Sequence, residues 1–297
     1  MLAAPEPTGT EPPGWFTRAL AVEVRVGRLD VHGCAIAYRR WGPEGAPGLV
    51  LVHGGGAHSR WWDHVAPFFS PEFTVTALDL SGHGDSGRRD RYSLALWAAE
   101  IVAVAAGGGP DAPVVVAHSM GGFAAIQAAV SHEEQLGGII VVDSPVREPS
   151  PEEAASMTRK AFGPLRLYPS AEQAVARFRT VPEQPGSLPY VVDHVARHSI
   201  RRVEGGWMWK FDPRFAERGE LVRPEMLSEV ACRVAVLRPE FGMVTPDIGE
   251  QMYQRLGRRA PVIEIPLAHH HVMLDRPLLL VTAVRALLAG WRNSSVA

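Results

Sequence analysis

The chain has 297 residues, of which 46% are hydrophobic, and its 30 Lys+Arg and 32 Asp+Glu residues give a net charge of −2. This balance provides no electrostatic basis for binding nucleic acid or an anionic membrane surface. Two cysteines are too few for a disulfide framework. The N-terminus lacks the features of a secretory signal, and no stretch has the ~18 apolar residues of a membrane helix. We therefore expect a cytoplasmic protein without nucleic-acid or membrane partners.

The first segments of the chain are predicted as an arm followed by a strand pair. Residues 1–19 contain several prolines and threonines and no apolar periodicity, so a flexible arm is expected. Residues 22–31 and 34–42 are rich in β-branched and aromatic residues, which is typical of strands. We predict an antiparallel pair that turns near Gly27 or Asp30.

Apolar strand-like runs then alternate with helical segments. The predicted strands are residues 48–53, 73–79, 113–118, 138–143, 233–238 and 261–266, and the predicted helices are residues 93–106, 119–130, 247–256 and 277–291. Continuous apolar strands separated by helices indicate a parallel sheet that is covered on both faces. With the first pair, the sequence predicts an α/β fold around a mostly parallel, eight-stranded sheet.

Residues 144–228, here called the insertion, interrupt this alternation. They are rich in Pro, Arg, Glu and aromatic residues, show helical pieces and contain no convincing sheet strand. A segment of this length is too long for an ordinary loop. We expect a helical cap over the ends of the strands, with the core formed by residues 20–143 and 229–297.

Polar residues occur at the carboxyl ends of the predicted strands, where ligands bind in open α/β sheets. Ser119 lies in "AHSMGG", directly between a predicted strand and a predicted helix. A serine there is often a helix N-cap. Small residues on both sides, Ala117 and Gly121, instead favour a nucleophile on a tight strand-to-helix turn.

Four motifs occur in the order "LVHGGG", "LDLSGHGDSG", "AHSMGG" and "PLAHHHVMLDRP". Together they resemble the α/β-hydrolase superfamily, close to its cap-bearing esterase and haloalkane-dehalogenase-like branch, over residues 30–291. The resemblance implies that Ser119 is the nucleophile. It also implies that the backbone N–H groups of Gly55 and Met120 form the oxyanion hole.

The resemblance also selects the catalytic histidine. In the family's terminal motif this histidine precedes a proline by seven residues, so Pro277 points to His270. We expect no metal site in the run 269–271, because adjacent side chains point apart and no further ligand set is visible. No cofactor is implied.

Two residues are candidates for the acid of the triad. The acid most common in the family lies five residues before a proline after the strand that precedes the last one, and here Pro246 places that position at Phe241. Phe241 cannot accept a hydrogen bond, although its neighbour Glu240 has a longer arm. Asp143 ends the strand that follows the helix of the nucleophile, a position that some dehalogenase-like members use. We favour Asp143, which could otherwise be a turn residue.

The predicted function is that of a cofactor-independent serine hydrolase acting on a small carboxylic ester with an apolar part. The expected substrate-binding residues are Gly54, Gly56, His118, Trp207 and Trp209. Three alternatives remain open: a lactone hydrolase or a carbon–carbon bond hydrolase of the same fold, and a ligand-binding receptor with slow turnover. A dehalogenase or epoxide hydrolase is disfavoured, because those relatives use aspartate where Ser119 stands.

Overall fold

The computed structural model describes residues 11–109, 111–148, 165–217 and 222–293. Ten strands occur in these ranges: β1 (Arg25–Val31), β2 (Cys34–Trp41), β3 (Gly48–Val52), β4 (Thr74–Leu78), β5 (Val114–His118), β6 (Gly138–Val142), β7 (Ile200–Val203), β8 (Gly206–Trp209), β9 (Arg233–Phe241) and β10 (Val262–His269). The α-helices are α1 (Gly14–Leu20), α2 (Leu94–Ala105), α3 (Met120–Ser131), α4 (Ala171–Val175), α5 (Pro189–His198), α6 (Met226–Glu229), α7 (Pro246–Arg255), α8 (Val272–Asp275) and α9 (Pro277–Asn293). Short 3₁₀ turns connect several of these elements.

Eight strands form one sheet in the order β1-β2-β4-β3-β5-β6-β9-β10. Neighbouring strands are parallel along the series β4-β3-β5-β6-β9-β10. Strand β2 pairs antiparallel with both β1 and β4. The predicted eight-stranded, mostly parallel sheet is therefore confirmed. The two predicted strands of the first pair and the six apolar runs all lie in this sheet.

Both faces of the inner strands β3, β4 and β6 are buried, as the continuous apolar strands predict. In β3, Val50 and Val52 pack into the core that contains α2 and α3, while Leu49 and Leu51 pack into the core that contains α9. This alternation follows the two-residue period of a strand. Strands β5 and β6 lie next to each other in the interior of the sheet.

The turn between β1 and β2 lies at residues 32–33, close to the predicted Asp30, and the alternative prediction at Gly27 is wrong. His32 and Gly33 have φ values of 49° and 74°, the positive values that a two-residue hairpin turn needs. Gly27 is instead a strand residue on which Tyr38 packs, since a Cβ there would lie 2.5 Å from the Tyr38 ring.

The N-terminal segment also differs from the expected flexible arm over residues 14–19. These residues belong to α1, and Phe16 is only 3% exposed. Its ring packs on Tyr190 of α5, with 4.9 Å between ring centroids. The buried residues of α1 are Phe16 and Ala19, three positions apart on one helical face. Two apolar residues are too few to indicate a helical period in the sequence. Residues 1–10 of the predicted arm lie outside the described residues.

The described part of the insertion contains α4, α5, most of the short helix α6, and a two-stranded antiparallel sheet. We predicted no strand here, so β7 and β8 are a correction. The turn between them is at Glu204 and Gly205, and the φ values of 79° at Gly205 and 154° at Gly206 suit glycine. Helix α5 places Val191 and Val195 in the core that contains α9. Among the described residues, no helix has the length and apolar character needed to cross a bilayer.

Candidate active site

Ser119 lies at a sharp turn between β5 and α3. Its φ of 53° and ψ of −121° are unusual for a residue with a side chain. A Cβ at Gly121 would lie 2.4 Å from the carbonyl oxygen of His53, and a Cβ at Gly122 would lie 2.0 Å from Ser144 Oγ. The glycines behind the serine are therefore required by close packing.

The side chain of Ser119 points to a histidine rather than into its own helix. Within the described segment 111–148 it makes no capping hydrogen bond. Its Oγ lies 3.1 Å from Nε2 of His270, which follows β10. The side chain of Ser119 therefore does not act as the N-cap of α3.

His270 donates its Nδ1–H to Asp143, with 2.6 Å between Nδ1 and Oδ2. Asp143 is completely buried at the end of β6. Its carboxylate also accepts two backbone bonds of 2.8 Å, from Met243 N to Oδ2 and from Val244 N to Oδ1. The loop after β9 therefore wraps around this carboxylate. A Cβ at Gly242 would lie 2.5 Å from it.

Glu240 and Phe241, the residues at the alternative acid position, have other contacts. The exposed Glu240 side chain accepts a 2.8 Å hydrogen bond from Leu267 N. Phe241 is 54% exposed, and its ring lies 5.2 Å from the ring of His269. The structure thus brings Asp143, and not Glu240, to the imidazole of His270.

The glycine-rich loop after β3 lies against Ser119. A Cβ at Gly54 would be 3.1 Å from Ser119 Cβ, and one at Gly55 would be 3.6 Å from Met120 Sδ. Among the described residues, no acceptor bonds to the backbone N–H of Gly55 or Met120. The Met120 N–H also belongs to the first turn of α3, where the helix dipole favours negative charge. Both amides are available to a ligand oxygen.

Two buried histidines fix the loops around Ser119. His53 donates from Nδ1 to the Gly54 oxygen at 2.7 Å and accepts from Leu80 N at 3.0 Å. His118 donates from Nε2 to the backbone oxygen of His270 at 2.9 Å. Burial lowers the pKa of both rings, and His270 and His271 lower the pKa of His118 further. Both histidines are therefore neutral near pH 7.

The rings of His270 and His271 contact each other, although we expected adjacent side chains to point apart. Their centroids are 4.6 Å apart, and His118 lies 5.5 Å from His271. The expectation assumed an extended strand, but β10 ends at His269 and His271 has φ −89° and ψ 66° before α8. His269 turns to Asp275, with 2.9 Å between Nδ1 and Oδ2. Burial lowers the pKa of His271 to about 3.

A cavity of about 150 Å³ opens beside this cluster. Two expected substrate-binding residues, Gly56 and Trp209, line it. Its walls are mainly apolar or aromatic side chains from the core and the insertion, together with two arginines. The lining residues are Gly55, Gly56, Trp61, Arg177, Phe178, Arg179, Thr180, Val181, Ser199, Trp209, Phe211 and His271.

The other three expected substrate-binding residues lie elsewhere in the described part of the chain. Gly54 packs against Ser119 and His118, and His118 is only 1% exposed beneath the site. Trp207 pairs through its backbone with Tyr168. The aromatic content of the insertion signals an apolar pocket, but no local pattern indicates that Phe178 and Val181 line it.

The sequence and the structure define the class of protein. Residues 49–284 match the family described as "Alpha/beta hydrolase family", and the chain belongs to that family. The strand order and the position of Ser119 on a sharp strand-to-helix turn agree with this membership.

Several individual proteins are similar to this chain. The esterase Rv0045c of Mycobacterium tuberculosis is 27% identical over 269 residues, which are 87% of this chain and 88% of that protein. A solved structure of the same esterase, described with its inhibition by transition metals, has a TM-score of 0.72 and 25% identity, covering 93% of this chain and 96% of its own. A pimeloyl-[acyl-carrier protein] methyl ester esterase from Edwardsiella ictaluri is 36% identical over 96 residues, 32% of this chain and 36% of that protein.

Proposed function

We propose that the chain is a cofactor-independent serine hydrolase that cleaves a carboxylic ester through Ser119, His270 and Asp143. The observation that carries the proposal is the continuous hydrogen-bonded series from the Ser119 hydroxyl through the imidazole to the buried Asp143 carboxylate. Similarity to proteins named esterase and methyl ester esterase supports an ester as the substrate.

Acylation begins when the Ser119 hydroxyl attacks the ester carbonyl. A serine hydroxyl is a weak nucleophile, so Nε2 of His270 removes its proton during the attack. Asp143 holds the imidazole in the tautomer whose Nε2 is unprotonated and then stabilises the imidazolium. The carbonyl oxygen becomes an anion that the Gly55 and Met120 N–H groups bind. His270 next protonates the departing alcohol, which leaves an acyl group on Ser119.

Water completes the cycle by the same route. His270 deprotonates the water, which attacks the acyl carbonyl, and the oxyanion forms again beside the two amides. Collapse of this intermediate returns the proton to Ser119 and releases the acid. All of these steps use side chains and amides of this chain and require neither a metal nor a cofactor.

The cavity supports a substrate with an apolar part. Trp61, Phe178 and Phe211 line it with aromatic side chains, and Gly55 also lines it. An acyl or alcohol group that fills this space would leave the ester carbonyl at the two free amides. Lactones and carbon–carbon bonds next to two carbonyls could react by the same steps, and a substrate panel separates these activities.

The experiment is a panel of p-nitrophenyl esters of increasing chain length, lactones and β-diketones, tested with the wild type and with Ser119→Ala. We expect ester hydrolysis to exceed the other activities. Ser119→Ala should lower kcat by a factor of ~10⁴ or more, as loss of a triad nucleophile does. Ser131→Ala, at the far end of α3, is the matched control. Exhaustive chelation with EDTA should leave the activity of the wild type unchanged.

Three results would contradict the proposal. Full activity of Ser119→Ala would exclude Ser119 as the nucleophile. Loss of activity with EDTA that added Zn²⁺ restores would show a metal-dependent enzyme. Binding of the panel compounds without turnover would favour a receptor of the same fold.

A further inference from the structure

Three histidine side chains from separate parts of the sequence meet beside Ser119. His118 ends β5, whereas His270 and His271 follow β10. Each ring contributes one nitrogen to a group of three, and these three nitrogens all lie within 4.8 Å of one another. All three residues are at least 95% buried. The triad uses only His270, so the presence of the other two rings needs a separate explanation.

Two of these rings hold a nitrogen with no partner. Nδ1 of His118 and Nδ1 of His271 are buried and have no hydrogen-bond partner among the described residues. Buried polar atoms are almost always paired. Both unpaired nitrogens belong to rings of this one cluster, so a single ligand bound between the rings would satisfy both.

The hydrogen bonds of the rings identify the kind of ligand. His118 donates from Nε2 to the oxygen of His270, and His271 donates from Nε2 to the oxygen of Pro182 at 3.2 Å. Since a carbonyl oxygen only accepts, the proton of each ring is on Nε2. A second proton on Nδ1 would create a buried charge without an acceptor. Each Nδ1 therefore presents a lone pair.

The third lone pair belongs to Nε2 of His270. Asp143 holds the proton of this ring on Nδ1, and Ser119 is the donor that Nε2 faces. A metal-bound histidine usually donates its other N–H to a carbonyl or a carboxylate, and all three rings have such an acceptor. The cluster thus offers a metal ion three imidazole nitrogens, one from each ring, within 4.8 Å of one another.

We propose that His118, His270 and His271 form an inhibitory site for a divalent transition metal ion, Zn²⁺ or Cu²⁺. The ion occupies Nε2 of His270 and so removes the base that Ser119 requires. The inhibitory effect rests on the proposed hydrolase function, whereas the binding itself does not.

The chemistry of the site favours these ions over hard cations. Imidazole nitrogen suits zinc, copper and nickel, while magnesium and calcium prefer oxygen. Nitrogen ligands of a tetrahedral zinc ion are about 3.3 Å apart, so the rings must move together by a fraction of an ångström to 1 Å. Of the three histidines, His271 also lines the cavity beside the cluster.

A second histidine pair provides the control. His194 and His198 lie in α5 with ring centroids 4.4 Å apart. Nε2 of His194 is bonded to Asp63, and Nδ1 of His198 to the backbone oxygen of His194. A variant of His198 therefore reports whether binding occurs at a nearby but different pair.

The test is calorimetric titration of the EDTA-dialysed full chain with ZnCl₂, together with ester hydrolysis at the same metal concentrations. We expect one ion per chain, inhibition that EDTA reverses, and no inhibition by equal concentrations of Mg²⁺ or Ca²⁺. His271→Gln should weaken Zn²⁺ binding by at least about tenfold, relative to wild type. His198→Gln should bind as the wild type does. Thermal unfolding verifies that each variant is folded.

The outcomes separate the two proposals. Absence of Zn²⁺ binding at millimolar concentration, or equal affinity of His271→Gln and wild type, would overturn the metal site and leave the hydrolase proposal unaffected. Full hydrolysis in the presence of saturating Zn²⁺ would overturn the inhibition. If the EDTA-dialysed chain binds Zn²⁺ but cleaves no ester before Zn²⁺ is added, the hydrolase proposal fails and the binding site stands.

Discussion

Ser119 and Asp143 share a strained backbone conformation, with φ values of 53° and 48°. For residues other than glycine this region costs of the order of 1 kcal/mol or more. Each residue follows a parallel strand, and each amide is bonded to the adjacent strand, from Ser119 N to Val142 O and from Asp143 N to Leu237 O, both at 2.9 Å. The sheet therefore imposes the turns that direct the two side chains toward His270.

The disputed acid can be tested by two substitutions that keep size and remove charge. We expect Asp143→Asn to lower kcat by up to ~10⁴, since the amide can stabilise the wrong imidazole tautomer and leaves the imidazolium unpaired. Glu240→Gln removes only an exposed charge, and its amide oxygen can still accept the bond from Leu267 N, so kcat should fall by less than about tenfold. The measurement is steady-state hydrolysis of one p-nitrophenyl ester. A large loss of kcat in Glu240→Gln together with an active Asp143→Asn variant would reverse the assignment.

The residues of the candidate site differ in how well the sequence predicts them. Ser119 and His270 occur in motifs with fixed local spacing, which identifies them without knowledge of the fold. The choice between Asp143 and Glu240 depends on the path of the loop after β9, which wraps Asp143 because Gly242 has no side chain. The contact of His118 with His270 joins residues that are distant in the sequence, and no local pattern encodes it.

Helix α1 contacts the body of the protein through Phe16. Its ring lies against Tyr190 and His194 of α5, with centroid distances of 4.9 Å and 6.1 Å. Phe16 also belongs to the same apolar core as the α9 side of the sheet. The helix therefore joins the core to the insertion.

Truncation of this side chain tests that role. Phe16→Ala should lower the free energy of unfolding by about 3 kcal/mol, because it removes a buried ring and leaves a cavity. Val26→Ala is the control, since Val26 is 71% exposed on β1 and its loss should change stability by less than about 0.5 kcal/mol. Urea unfolding gives both values. An unchanged midpoint for Phe16→Ala would support the flexible arm instead.

The regular elements of the sheet could be predicted because their apolar periodicity is long and local. The insertion could not be predicted as well. Strands β7 and β8 have four residues each, and "IRRV" and "GWMW" show no clear alternation of apolar and polar residues. Their pairing depends on the turn at Gly205 and on the contact of Trp207 with Tyr168. Short strands of this kind acquire their structure from tertiary contacts.

The folded protein as a whole buries several neutral histidines. His64 is completely buried, and its Nε2 donates to the Met273 oxygen at 2.7 Å. Burial lowers the pKa of His64 from 6.5 to about 4, and the pKa of His53, His58 and His118 is lowered for the same reason. In the unfolded chain these rings are exposed and titrate near 6.5.

This difference predicts a loss of stability in acid. Above pH 6.5 His64 is neutral in both states, and between pH 6.5 and about 4 only the unfolded chain binds the proton. The free energy of unfolding should therefore fall over this range, by about 3 kcal/mol for His64 alone. His64→Gln should reduce the slope of the urea-unfolding free energy against pH relative to the wild type. A wild-type stability that stays constant from pH 7 to 4 would contradict this account.

The most direct measurement is covalent labelling of the wild type with a fluorophosphonate, followed by intact-mass analysis and peptide mapping. Such reagents react with a serine that an adjacent base activates. We predict one adduct per chain, located on Ser119, and a large decrease in the labelling rate in Asp143→Asn but not in Glu240→Gln. An adduct on another residue, or equal labelling of Ser119→Ala, would contradict the assignment of Ser119, His270 and Asp143 as the catalytic groups.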